Sequence, residues 1–183
     1  MTSVERRQQI YALLRAADRP LSAATLAGQC GVTRQVIVGD IALLRAEGHN
    51  IAATPRGYVI PAENTGLIRC VACSHSLEGT REELHAMVDC GCTVLDVIVE
   101  HPVYGQLTAI LQLSSRYDVE QFISKMRNSS AAPLSALTEG IHLHTLSCPS
   151  EDAFAHLKVK LEQMGVLLPE QTDLPLTNRI FCL

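Results

Sequence analysis

The run Gln29-Cys30-Gly31-Val32-Thr33 constrains this chain more than any other stretch. It joins two helical patterns through a residue that tolerates left-handed backbone and a residue that caps the second of them. Before it, residues 3–17 place Ile10, Leu13, Leu14, Ala16 and Ala17 at helical spacing, with Ser3, Arg6 and Arg7 at the start and Pro20 beyond the end. Ser22 is positioned to cap a short second helix that turns Leu26 and Ala27 inward and stops at Cys30. Thr33 caps a third, over residues 34–45, which buries Val36, Ile37, Ile41 and Leu44 and leaves Arg34, Gln35, Val38 and Arg45 toward solvent or a groove; Gly48 ends it. Residues 51–54 and 58–60 read as short β runs around Pro55-Arg56-Gly57, a hairpin whose turn presents a single arginine.

Helix, helix, tight turn, helix and hairpin, in that order, make a winged helix-turn-helix. These first sixty residues resemble the small domains of that kind at the N-termini of bacterial repressors. The resemblance implies a duplex-DNA reader. Its third helix, capped by Thr33, enters the major groove with Arg34 and Gln35 at base edges, where Arg pairs with guanine and Gln with adenine. Arg45 lies farther along the same helix, and Arg56 on the wing meets phosphates or the minor groove. The competing reading is a set of solvated charges on a module that docks protein.

Charge supports a division of labour. The whole chain carries 15 Lys plus Arg against 19 Asp plus Glu, a net of −4, which taken whole argues against nucleic acid. Cut after Ile60, it separates into a first part of seven Arg and four acids, +3, and a remainder of eight bases and fifteen acids, −7. Two domains of opposite sign are expected, residues 1–60 and 67–183, joined by a linker at 61–66 that has Pro61 and Gly66 at its ends. With 47% apolar residues the chain can bury a core, and the absence of Trp with 4% aromatics leaves little stacking surface for single strands. Seven cysteines and no apolar leader at Met1–Arg7 point to a reducing cytoplasm, and no apolar run approaches the roughly 20 residues of a membrane span.

The acidic half reads as strand 67–73, helix 79–90, strand 93–100, strand 106–113, a helix capped by Asp118, strand 140–147 and a final helix from Ser150 to Gly165. The order β-α-β-β-α-β plus a helix is an α+β arrangement, an antiparallel sheet covered by helices. His142 and His144, two apart on a strand, project from one face. His75 follows the first strand and Glu83 sits in the first turns of the next helix, so the topology can bring all four together. Three imidazoles and one carboxylate suit a borderline divalent ion such as Zn, Ni, Fe or Co, and suit Ca or Mg poorly. Cys70-x-x-Cys73-x-His75 and Cys90-x-Cys92 offer a rival zinc site. However, Cys70 and Cys73 face opposite sides of a strand, and only Cys73 shares a face with His75.

The segments Asp89-Cys90-Gly91-Cys92-Thr93-Val94-Leu95-Asp96-Val97-Ile98-Val99-Glu100-His101-Pro102-Val103-Tyr104-Gly105, Ser115-Arg116-Tyr117-Asp118-Val119 and Pro133-Leu134-Ser135-Ala136-Leu137-Thr138-Glu139-Gly140-Ile141-His142-Leu143-His144-Thr145 resemble the 3H domain, named for its histidines. Joined to a winged helix-turn-helix, this is similar over nearly the whole chain to the niacin-responsive transcriptional repressors. The resemblance implies a homodimeric repressor, not an enzyme, that binds operator DNA at genes of NAD biosynthesis or niacin transport. Nicotinic acid would be its co-repressor, with one divalent transition metal per chain (Ni, Zn or Fe). Carried onto this sequence, the metal ligands are His75, Glu83, His142 and His144, with Glu82 as the alternative to Glu83.

His101, fixed at a strand-to-turn junction by Pro102 and Gly105, can meet an effector carboxylate or support the metal; its other reading is a turn histidine bonded to backbone. Arg116 can grip a planar carboxylate in two-pronged fashion, or pair with Asp118. His49, His85 and His156 read as surface residues. Two other functions compete: a hydrolase using metal-bound water with Glu100 or His101 as base, and a dimerisation domain without a ligand.

Overall fold

A computed structural model describes residues 1–61, 66–129 and 133–169. The chain divides into two compact units, Met1–Glu63 and Asn64–Leu183. Residues 62–65 of the expected linker and 170–183 of the expected second domain lie outside the described residues.

In the first unit α1 spans Ser3–Ala16, α2 Ala23–Cys30 and α3 Arg34–Ala46. Thr2, rather than Ser3, caps α1, in a reciprocal box where Glu5 Oε2 accepts from the Thr2 amide at 2.7 Å. Ser22 and Thr33 cap the next two helices, and Gly31, at φ 65°, closes α2 in left-handed conformation. Ile10, Leu14, Leu26, Ile37, Ile41 and Leu44 fill the core. Val36, expected inside, is exposed. The buried polar place on α3 belongs instead to Asp40, which receives the Arg6 guanidinium from α1 at 2.6 Å and so ties the first helix to the third.

The wing is β1, Ala52–Thr54, antiparallel to β2, Gly57–Val59. Leu21 adds a one-residue third strand, exchanging backbone hydrogen bonds with Tyr58 at 2.9 and 2.8 Å. Gly57 has φ 143°, and a Cβ there would lie 2.3 Å from the Leu21 carbonyl oxygen, so the close approach requires glycine.

The second unit runs β3 (Leu67–Ser74), α4 (Thr80–Asp89), β4 (Thr93–His101), β5 (Gly105–Leu113), α5 (Arg116–Arg127), β6 (Ile141–Cys148) and α6 (Glu151–Gln163), with short 3-10 turns at Leu77–Gly79 and Leu134–Thr138. The four strands lie in the order β3-β6-β4-β5, all neighbours antiparallel. Alternation along β6 sends His142, His144, Leu146 and Cys148 inward. There Leu146 and Cys148 pack with Leu84 and Met87 of α4 and Leu157 and Leu161 of α6 in one apolar cluster. Ser115 caps α5 through the Asp118 amide at 3.2 Å, while Asp118, expected as the cap, is buried and accepts from Ser114 at 3.0 Å.

The ladder between β4 and β6 shifts register between Val94 and Ile98, with an extra residue on β4. That irregularity contains Asp96, whose carbonyl faces a side chain of β6.

Candidate metal centre

The cluster is assembled at the end of the sheet where β3 and β4 finish and β6 begins. Cys73 and Val71 of β3 stand directly opposite His142 and His144 of β6. His75 follows β3, and α4 packs across with Glu83 pointing at the sheet and fully buried. Glu82, its alternative, is exposed.

His75, Glu83 and His142 bring ligand atoms within 4.8 Å of one another, a set able to hold a metal ion. His75 Nε2 lies 2.8 Å from Glu83 Oε2, and His142 Nε2 is 3.2 Å from Oε1. His144 joins from the next inward position, its Nε2 3.5 Å from Glu83 Oε2.

Each ring is oriented by its other nitrogen. The Nδ1–H of His75 donates to the Ser76 carbonyl at 2.7 Å, that of His142 to Gly140 at 2.8 Å, and that of His144 to Asp96 at 2.7 Å. Carbonyls only accept, so each Nδ1 carries hydrogen, and each Nε2 faces a carboxylate that also only accepts, through a proton when the ring is charged and through a bare lone pair when it is neutral. Lone pairs converging from four side chains repel unless protons or a cation stand between them. This donor set, with backbone carbonyls fixing the tautomers, fits a divalent transition ion.

Electrostatics follow the geometry. Burial alone would push the Glu83 carboxyl up, but the imidazoles of His144, His142 and His75 hold it well below its ordinary value. Burial opposes charge on His75 and His144, yet the Glu83 carboxylate outweighs it and raises both. Cys73 has no exposed surface, and burial first, then the charge of the Glu83 carboxylate, pushes its thiol far up.

The other sequence candidates are placed elsewhere. His101 Nδ1 accepts from the Val103 and Tyr104 amides at 3.1 and 3.2 Å, fixing the β4–β5 turn. Arg116 does not pair with Asp118: its Nε and Nη2 donate to Asp89 at 2.7 and 2.6 Å, near the end of the sheet where Val94 meets Leu113, opposite the histidines. Cys70 turns away from Cys73, its sulfur 3.9 Å from the Thr145 hydroxyl, and the Cys92 thiol donates to Cys148 at 2.9 Å in the core, so the two Cys motifs share no centre. Glu100 is exposed. His49 is stacked on Tyr11 with centroids 4.2 Å apart, and His85 Nε2 lies 3.1 Å from Glu120.

In the first unit Thr33, Arg34 and Gln35 are exposed at the start of α3. Arg45 reaches back to the wing, donating to the Ile51 carbonyl at 2.8 Å and lying 5.8 Å from the Tyr58 ring centroid. The Arg56 amide donates to Thr54 Oγ1 at 3.2 Å within the wing turn.

Residues 6–59 match the HTH domain family and residues 68–170 the 3H domain family. The probable transcription repressor NiaR of Thermotoga maritima is 43% identical over 166 residues, 91% of this chain and 95% of that protein. The chain belongs to this family of transcription repressors. A second member, the transcription repressor NadR of Bacillus subtilis, is 42% identical over 174 residues, covering 93% and 97% of the two chains. Both relatives are named as repressors and neither as an enzyme, which sets the hydrolase reading aside. Among the described residues no helix is long and apolar enough to cross a membrane.

Proposed function

We propose that the protein is a metal-containing repressor that uses nicotinic acid as co-repressor, binds operator DNA as a homodimer in the cytoplasm and controls genes of NAD biosynthesis or niacin transport. The observation that carries this reading is the convergence of three Nε2 atoms on the buried Glu83 carboxylate, inside an acidic domain joined to a DNA reader. The name of the Thermotoga maritima relative agrees with a niacin signal. A Zn, Ni or Fe ion held by His75, Glu83, His142 and His144 would supply an electrophilic position for the carboxylate or ring nitrogen of nicotinic acid.

The chain's own residues do the rest. Glu83, His142 and His144 are buried and His75 is half-buried, so an effector reaches the centre from the His75 side. His101 ends β4 at the same end of the sheet and is the proposed effector contact; Arg116, held by Asp89 at the opposite end, is not. For DNA, Arg34 and Gln35 read base edges, Thr33 fixes the start of their helix, Arg56 meets the backbone, and Arg45 braces the wing. Effector binding shifts the dimer toward the spacing of two half-sites, a coupling that must be reciprocal.

The direct test is the mobility shift of operator DNA with nicotinic acid, nicotinamide and NAD in turn, at one salt concentration. Tightening by nicotinic acid alone is the expected result. An operator affinity indifferent to all three would remove the sensor reading.

A further inference from the structure

His75 and His142 take their orientation from carbonyls close by in the chain, at Ser76 and Gly140. His144 depends on a remote one, donating its Nδ1–H to the Asp96 carbonyl of β4 at 2.7 Å. A regular antiparallel strand aims its carbonyls at the amides of its neighbours, not at their side chains. Asp96 departs from that pattern because β4 is irregular on both sides of it. Toward β6, the pairs Val94 with Leu146 and Ile98 with Leu143 leave Leu95, Asp96 and Val97 opposite only Thr145 and His144. Toward β5, the pairs Val94 with Leu113 and Asp96 with Ile110 leave Leu95 opposite both Leu111 and Gln112, and Gln112 takes φ 55°. The phase of β4 changes across this stretch: Val94 and Val97, which a regular strand would send to opposite faces, both pack on the apolar cluster. The Thr145 amide, next to His144, donates to Asp96 Oδ1 at 3.1 Å, so a side-chain oxygen stands in for a ladder carbonyl. One residue thus holds two consecutive residues of β6, His144 by its carbonyl and Thr145 by its carboxylate.

We infer that Asp96 is a positioning residue of the metal centre: its carboxylate pins the irregular stretch of β4 to the Thr145 amide, which keeps its carbonyl on the His144 ring and the His144 Nε2 turned toward Glu83. This rests on the metal reading above and extends it. Asp96 acts through His144 and is not itself a ligand. Its side chain supplies an acceptor at one place rather than a charge, so an amide oxygen can serve there instead.

The experiment uses the full chain and cobalt(II) as probe, with affinity read by competition against a chromophoric chelator and the imidazole protons read by proton–nitrogen NMR of the metal-free protein. In the wild type the Nδ1 proton of His144 is expected to be protected from exchange with water. Asp96→Ala should weaken cobalt binding roughly tenfold, the scale of losing a group that orients a ligand. It should also release the His144 proton to exchange and leave that of His142 protected. Asp96→Asn keeps an oxygen at the same place and should restore most of both losses. Leu157→Ala, fully buried on α6, is the control for stability alone: it should lower the melting temperature and leave cobalt affinity and the His144 proton as in the wild type. Equal affinities for wild type and Asp96→Ala, failure of Asn to rescue, or a loss in Leu157→Ala matching that in Asp96→Ala would each overturn the positioning role while the metal centre stands. A wild type that takes up no cobalt would overturn the metal centre and this role with it.

Discussion

Gly140 lies against the backbone of His75: a Cβ on Gly140 would sit 2.4 Å from the His75 carbonyl oxygen, and its φ of 97° is one that side-chain-bearing residues rarely adopt. The Gly140 carbonyl in turn accepts from the His142 ring at 2.8 Å and from the His75 amide at 3.4 Å. One glycine thus sets the spacing between two of the proposed ligands. Gly140→Ala is expected to destabilise the second unit by roughly 1–3 kcal/mol from backbone strain alone. It should also weaken metal binding about tenfold by turning the His142 ring. Urea unfolding and cobalt titration check the two effects; wild-type values in both would show that the close approach does not order the site.

Removing ligands should act far more strongly than removing supports. A His142→Ala/His144→Ala double variant, made without a His tag, is expected to retain almost no transition metal by elemental analysis, while the untagged wild type carries one ion per chain. Equal metal content in the two would remove the site.

Stability should depend on pH in opposite ways with and without metal. His75 and His144 are raised above their ordinary 6.5 because Glu83 outweighs the penalty of burial, so their contribution is complete below pH 6.5 and is lost as pH rises through the raised values. Glu83 is lowered below 4.5, despite burial, by the imidazoles; its contribution is present above pH 4.5 and is lost as pH falls toward the lowered value. The metal-free chain should therefore melt highest at about pH 5–6 and lower at about pH 8, whereas metal displaces the imidazole protons and binds better as pH rises. Thermal melts with chelator and with cobalt should show a widening gap across that range. A gap that stays constant would contradict proton release from the cluster.

On the DNA side, Arg34→Ala should cost operator binding about 1–3 kcal/mol and relax preference at one base position. Arg56→Ala should weaken all sequences alike and reduce the salt slope by about one. Binding across an operator mutant series at several salt concentrations separates the two. Identical signatures for both variants would mean that α3 does not read bases.

The parts of this molecule governed by short-range patterns were legible in the sequence. Gly31 and Thr33 announce the turn and cap between α2 and α3, and the two-residue spacing of His142 and His144 places both rings on one face of β6. What escaped depends on partners remote in the chain. Asp40 is inside because Arg6, 34 positions away, neutralises it, and this displaces the expectation that Val36 is core. Leu21 pairs with the wing through a single bridge that carries no strand periodicity. Arg116 takes Asp89 from another helix in place of nearby Asp118, which is turned inward to Ser114. The Asp96 carbonyl meets His144 only because β4 carries an extra residue against β6, a register feature with no sequence signature.

In the proposed repressor, one ligand-sensing centre in the 3H domain and one DNA surface are thermodynamically linked. Calorimetric titration of nicotinic acid into the metal-loaded protein, with and without saturating operator DNA, tests that link most directly. Operator is expected to tighten nicotinic acid binding by the same factor as nicotinic acid tightens operator binding. The same nicotinic acid affinity in both titrations would contradict it.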